Sequence, residues 1–515
     1  MEGARRRASV HRVGAVAGAG AVAAGLTGCA MVREQVRRVT GPLPAMFAPL
    51  PGDRRAVAEA RLVLQRAGFG PRPGDIARVV AMGPRNYLEE QLADRVEEDP
   101  AVRWRVDGLD VLQWQSEAPD MLFSYPDGQL LTEIQQAMLL RAVYSRRQLR
   151  EALCDFWTNH FNIYAIKKDG RVLIPMDAEQ VIRPHAMGRF RDLLFRSAHS
   201  PAMLAYLDNE QNRKGIANEN YARELLELHT VGVESGYTLE DIQQVARCFT
   251  GWTIREGFER GQFVFRPELH DSGEKFIPFL NLRIAPGGGK RDAEAILERL
   301  AVHPATARFL SRKLCRRFLG SEPAGIVERA ARAYLRHDTD IRAMLRPILL
   351  DGLVAQEPVR PLIKRPLDYL VSALRALAAD TDGGAGVQQH LQAMGQPLYQ
   401  WPLPDGYPDR TAAWTGTLLP RWNFALALAA NAIAGTRVDL QQALRALGAR
   451  TDPDAVDALI QVTLNRDPED GDVQLVRERV REHVKRARGS GLASSRVMAE
   501  VAGLLLASPV FQWRA

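Results

Sequence analysis

From Val57 onward, apolar residues recur at three- and four-residue spacing through most of the chain, the pattern of amphipathic helices. The clearest stretch is 218–254. Asn218 or Asn220 is placed to cap a first helix by accepting from the free amides of its first turn. Tyr221, Leu225 and Leu228 fall on one face, with His229 at its margin. Gly232 and Gly236 supply the backbone freedom to reverse the chain. Thr238 opens a second helix with Asp241 three residues on, the spacing of a capping box. Leu239, Ile242, Val245, Ala246 and Phe249 form its buried stripe, and Gly251 and Trp252 end it.

Further helices are predicted at 58–67, at 130–144, from Ser145 through His160, and over 177–199. The last is interrupted, because Pro184 disfavours helical geometry at Arg183. Others follow at 303–318, 324–336, 340–351, 365–378 and onward to the C-terminus. One segment changes period. Phe263 and Phe265 alternate, a polar tip follows at 267–273, and Lys275 to Ile277 resume, which predicts a β-hairpin near 262–278. The predicted fold class is therefore all-α: a large multi-helix body with one small β-hairpin insertion. A polar, glycine-containing break at 380–386 divides a main body, 55–379, from a C-terminal helical part, 387–515, packed on it.

Two loops differ from the rest. Pro286 to Lys290 is a glycine run before a helix. The spacing of a Walker loop is absent, so it reads as a turn, with an anion nest as the alternative. Residues 396–416 carry Tyr399, Trp401, Tyr407 and Trp414 in one loop. Such aromatics either stack on sugar rings or pin a long loop to neighbouring helices.

The first 29 residues read as an address. Arg5, Arg6 and Arg7 precede a weakly apolar run, Val13 to Leu26, and Leu26-Thr27-Gly28-Cys29 matches a lipobox with Cys29 as the lipidated residue. The run is shorter than the ~20 residues a membrane-spanning helix needs. The paired arginines resemble a twin-arginine export signal. Ala4, Ala8 and Ser9 depart from its consensus, so the Sec route fits as well. The expectation is an exported protein, lipid-anchored in the cell envelope, periplasmic or at the cell surface. Residues 30–54, with Pro42, Pro44, Pro49 and Pro51, read as a flexible tether.

Processing at Cys29 would remove four arginines and one glutamate, leaving 64 basic and 60 acidic residues, a formal +4. That balance calls for no nucleic-acid partner. Cys154, Cys248 and Cys315 then remain. They sit in helical patterns at long spacings and read as buried thiols with at most one disulfide.

No motif of a known reaction is present: no H-E-x-x-H, G-x-S-x-G, Rossmann fingerprint or Cys-x-x-Cys. The candidate catalytic residues are His160, His185, His270 and Asp271. Asp155, Asn159, Glu224 and His229 lie near them in sequence. Leu149, Leu153, Phe156 and His160 share one helix face, so His160 points inward; Asp155 lies far round from it. A buried, hydrogen-bonded core residue is the ordinary reading of such a histidine. A hydrolase would instead use His160, His185 and the His270–Asp271 pair to hold a divalent metal. Arg183 and Arg189 on a basic helix side, and Tyr399 and Trp401 in the aromatic loop, are candidate ligand contacts.

Several segments resemble one bacterial family, the domain of unknown function 1800. They are AGFG at 67–70, DFWTNHFN at 155–162, IRPHAMGRFRD at 182–192, PAM at 201–203 and YLDN at 206–209. The 218–254 stretch, HDSGEK at 270–275, HPATA at 303–307 and SPVFQ at 508–512 complete the set. They run in family order from about residue 55 to the C-terminus. The resemblance implies no established activity. It implies export, and a sulfatase-like protein as partner, since members are often exported and encoded beside one. Three readings follow: an envelope scaffold or partner protein, a metal-dependent hydrolase, and a carbohydrate-binding protein acting through 396–416.

Overall fold

Thr238 and Asp241 form the expected capping box: the Thr238 hydroxyl accepts from the Asp241 amide, and the Asp241 carboxylate accepts from the Thr238 amide at 2.8 Å. The helix they open, Leu239–Cys248, buries Ile242, Val245 and Ala246. Phe249 just beyond it is buried as well. Leu239 is not part of that stripe. It is 56% exposed, because it occupies the first helical position, ahead of the turn that meets the core. Before it, Asn218 caps the Glu219–Glu224 helix. That helix then widens into a π turn, Leu225–His229. The wider turn advances the buried positions by more than four residues, so Leu225, Leu226 and His229 face inward while Leu228 is only half buried. His229 thus moves from the margin of the stripe into the core.

A computed structural model describes residues 47–112, 119–126, 128–257, 259–355, 360–487 and 495–514. Cys29, the lipobox and most of the expected tether lie outside the described residues. From Phe47 on, the chain is one unit built mainly of helices, with one hydrophobic cluster extending from Phe47 to Phe511. The Pro304–Leu319 helix packs along Ala324–Arg336, and Leu418–Ala429 along Ser495–Ala507. Among the described residues no helix is long and apolar enough to cross a membrane.

Among the described residues the β content is four short antiparallel strand pairs rather than one hairpin. β1 (Trp252–Ile254) pairs with β2 (Phe263–Phe265), and β3 (Lys275–Ile277) with β4 (Leu282–Ile284). The two halves of the expected 262–278 hairpin therefore belong to different hairpins. Pro267 starts a 3₁₀ turn after β2 and turns the chain away. Gly251 brings β2 back to β1: a Cβ there would lie 2.6 Å from the Arg266 carbonyl. β5 (Leu362–Ile363) pairs with β8 (Trp513–Arg514), and β6 (Asp380–Thr381) with β7 (Thr436–Arg437), each joining distant parts of the chain.

The 177–199 region is interrupted as expected, but the break falls at 186–189, before the Phe190–Ala198 helix, and not at Arg183. The backbone stays helical through Pro184, as a π turn at Asp177–Ile182 running into Arg183–His185. A widened turn relieves the clash between the proline ring and the carbonyl one turn back, so the helix need not break at Arg183.

Candidate functional site

The DFWTNHFN segment lies on and just beyond the Gln148–His160 helix. Leu149, Leu153, Phe156 and His160 are buried together, as the helical count requires. Each polar side chain around them ties down a different part of the chain. Asp155 pairs with Arg365 and, at 3.7 Å, with Arg317. The Trp157 indole donates to the Ala186 carbonyl at 3.0 Å. Asn159 donates to the Tyr407 carbonyl at 2.9 Å and accepts from the Tyr407 amide at 2.7 Å. Asn162 donates to the carbonyls of Trp401 and Leu403. Two asparagines thus hold the aromatic loop by its backbone. Gly406 permits the approach: its φ is +75°, and a Cβ there would lie 2.3 Å from the Asn159 carbonyl.

His160 is 2% exposed. Its Nε2 donates to the His229 carbonyl at 3.1 Å, and its Nδ1 accepts from the Lys313 amine at 3.0 Å. An oxygen acceptor on one nitrogen and an ammonium donor on the other assign the neutral Nε2–H tautomer. Burial, the Lys313 charge and His229 hold the His160 imidazole well below the histidine range. Trp157, Phe161, Phe190, Phe309 and the His229 ring surround it at centroid distances of 4.6–6.4 Å. Burial pulls His229 down to about 3, and its Nε2 has no hydrogen-bond partner among the described residues.

Lys313 is the residue that sequence reasoning missed. It is half buried on the Pro304–Leu319 helix. Among the described residues its amine bonds only His160 and forms no ion pair. Burial pulls it down to about 8, with Asp409 and Asp405 acting in the opposite direction. A lysine that is partly uncharged near neutral pH, beside a neutral imidazole, has the chemistry of a nucleophile or base. A signal was present in the sequence. Lys313 falls on the stripe of buried Thr306, Leu310 and Arg317, where a lone lysine is out of place.

The other candidates are engaged separately. His185 donates from Nδ1 to the Val181 carbonyl at 2.8 Å. His270 bonds Thr250 through Nδ1 and Asp292 through Nε2, and Asp292 also takes the buried Lys275 amine at 2.6 Å. Asp271 accepts twice from Arg247, whose guanidinium holds its carboxyl down at about 2. The Asp292 carboxylate also fills the space beside the glycine run, lying where a Cβ on Gly288 would stand, so the chain supplies its own anion there. Glu224 is half buried, and burial raises it to about 6. The structure does not gather His160, His185 and His270 around one point. Among the described residues no group of three or more His, Cys, Asp or Glu side chains is placed to hold a metal.

Arg183 and Tyr399 do come together, lining a narrow crevice with Glu151, Arg141, Glu179 and Cys154. Arg183 pairs with Glu151 at 2.9 Å, and Arg141 pairs with Glu179. Its free space suits a water-sized group rather than an organic ligand. Burial raises the Cys154 thiol to about 12, so it is no thiolate nucleophile. The three cysteines Cys154, Cys248 and Cys315 are buried and free. Arg189 lies elsewhere, paired with Asp338 at 3.2 Å on the surface. Trp401 packs on Tyr407 at 5.0 Å and bonds Asp405 through its indole nitrogen, while Tyr407 and Trp414 are buried beside Ile363. The loop's aromatic rings pin it to the body.

No curated protein and no solved structure matches the chain. The family described as Protein of unknown function (DUF1800) matches residues 62–513, a span that takes in the His160 centre, the asparagine clamp and the closing SPVFQ segment, and the chain belongs to that family.

Proposed function

We propose that the protein is an exported, lipid-anchored scaffold of the cell envelope that works by holding a partner, with a sulfatase-like protein as that partner. The observation that carries the scaffold reading is how the DFWTNHFN segment is used. Asp155, Trp157, Asn159 and Asn162 all bond other elements of the same chain, and architecture takes up the polar groups a hydrolase would spend on substrate. The Leu26–Cys29 lipobox behind a basic, weakly apolar leader supports the anchor. Leu418, Leu419, Trp422 and Leu426 stand 40–64% exposed along one helix, an apolar face suited to a protein partner. Among the described residues no cluster of metal-ligating side chains supports the metal-dependent hydrolase, and Tyr407 and Trp414 of the aromatic loop are spent on pinning it to the body.

The test is fractionation and affinity capture from the native envelope. Wild type is expected in the membrane fraction with one co-purifying protein. Cys29→Ala should release the protein or block its processing, and Leu419→Asp should lose the partner while leaving the fold intact. A wild-type protein found free of membranes, with a distribution that Cys29→Ala does not change, would refute the anchor. Capture of no partner would refute the scaffold role.

One observation favours a second reading. Lys313 and His160 form an amine–imidazole pair of the kind that attacks carbonyl carbon. Trapping of a lysine adduct at Lys313 by borohydride with a small aldehyde would turn the assignment toward an enzyme.

A further inference from the structure

Six buried or nearly buried cationic side chains converge from distant parts of the chain: Arg66, Arg317, Lys364, Arg365, Arg421 and Arg514. Among the described residues, the carboxylates that pair with them are Asp155 and Asp368. Asp368 takes Arg317 at 3.2 Å, Arg365 at 3.0 Å and Arg514 at 3.7 Å. Asp155 takes Arg365 and, more loosely, Arg317. Backbone carbonyls and neutral side chains take much of the remaining donor capacity. Arg66 donates to the Arg360 and Arg514 carbonyls, Arg514 to those of Gln65 and Arg66, and Arg421 to the Lys364 carbonyl and Gln512.

Two groups lack even that. Nε and one terminal nitrogen of Arg317 have no hydrogen-bond partner among the described residues. The Lys364 ammonium rests over the Phe511 ring at 3.5 Å. Burial and the neighbouring guanidinium of Arg514 push the Lys364 amine well below the lysine range. Burying charge without a counter-charge is costly, and arginine does not escape by losing its proton. A crevice reaches the cluster from outside. Lys364, Asp368 and Arg514 line it together with Gln65 and the Gly68–Phe69–Gly70 turn, and its free space is of water size.

We propose that this cluster is a binding site for one small inorganic anion, which enters beside Lys364 and Arg514 and supplies counter-charge to the cluster. The site joins the Arg54–Arg66 helix, the Pro304–Leu319 helix and β8, so the anion would hold these three elements together. This inference is independent of the envelope assignment.

The test is thermal melting of the full chain at constant ionic strength, exchanging gluconate for chloride, sulfate or phosphate. At least one small anion should raise the melting temperature by a few degrees, in proportion to the logarithm of its concentration, as ligand linkage requires. Lys364→Met should melt no lower than wild type in gluconate and should lose most of the response. Chloride NMR line broadening on wild type, reversed by the tighter-binding anion, reads the same site should that variant not fold. A response that follows only the salting-out order of the anions and persists in Lys364→Met, or no excess line broadening, would overturn the proposal.

Discussion

His160 donates its Nε2 proton to the backbone carbonyl of His229 at 3.1 Å, across 69 residues of chain. The carbonyl is available because His229 ends the π turn, where the last carbonyls of a helix have no partner within it. The same ring accepts from Lys313 on a third helix. One imidazole therefore satisfies a helix end, caps a lysine and fills the centre of an aromatic cluster.

His160→Ala is expected to destabilise the protein by about 2–4 kcal/mol, from a lost carbonyl donor and a cavity among the rings. His160→Gln, which keeps a donor and most of the volume, should cost clearly less. Thermal melts of the two variants check this; equal melting of His160→Ala and wild type would contradict it.

The amine of Lys313 should label with an amine-selective reagent along a pH–rate curve with its midpoint near 8. An ordinary lysine turns over near 10.4 and is under about 1% uncharged at pH 8. Peptide mass spectrometry against the exposed Lys214 provides the comparison, since the midpoint does not depend on accessibility. A Lys313 midpoint above 10 would show that the amine is ordinarily solvated.

Asn159→Ala removes both bonds to the Tyr407 backbone. Amide exchange over 396–416 should quicken, while exchange in the Leu239–Cys248 helix stays as it was. Gly406→Ala should loosen the same loop through steric conflict with Asn159. Unchanged protection at Tyr407 in both variants would show that the loop is held by its aromatic packing alone.

Asp177 is buried and accepts the Ser200 hydroxyl at 2.6 Å; burial raises its carboxyl to about 6. The folded state then keeps a proton that the unfolded chain releases near pH 4. Its stabilising contribution is complete below about 4 and is lost as pH rises through 6. The melting temperature of wild type relative to Asp177→Asn should fall from pH 4 to pH 7. Parallel profiles would refute the assignment.

Local pattern determined a good deal here. The caps at Asn218 and Thr238, the inward face of the Gln148–His160 helix, the buried cysteines and the mainly helical fold all follow from interactions within one turn of the chain, which a 3.6-residue period records. Membership of the family was legible in the same way, from short contiguous segments. Three things were decided only in the folded chain. The π turns moved His229 inward and carried the helix through Pro184, because a widened turn shifts the buried positions and makes room for the proline ring. Strand partners were exchanged around Pro267 and Gly251. Lys313 met His160 from 153 residues away, and Asp155 met Arg365 from 210. Pairings over such distances leave no period in the sequence. They arise when buried polar groups from separate helices must satisfy one another, and only the assembled core selects which ones do.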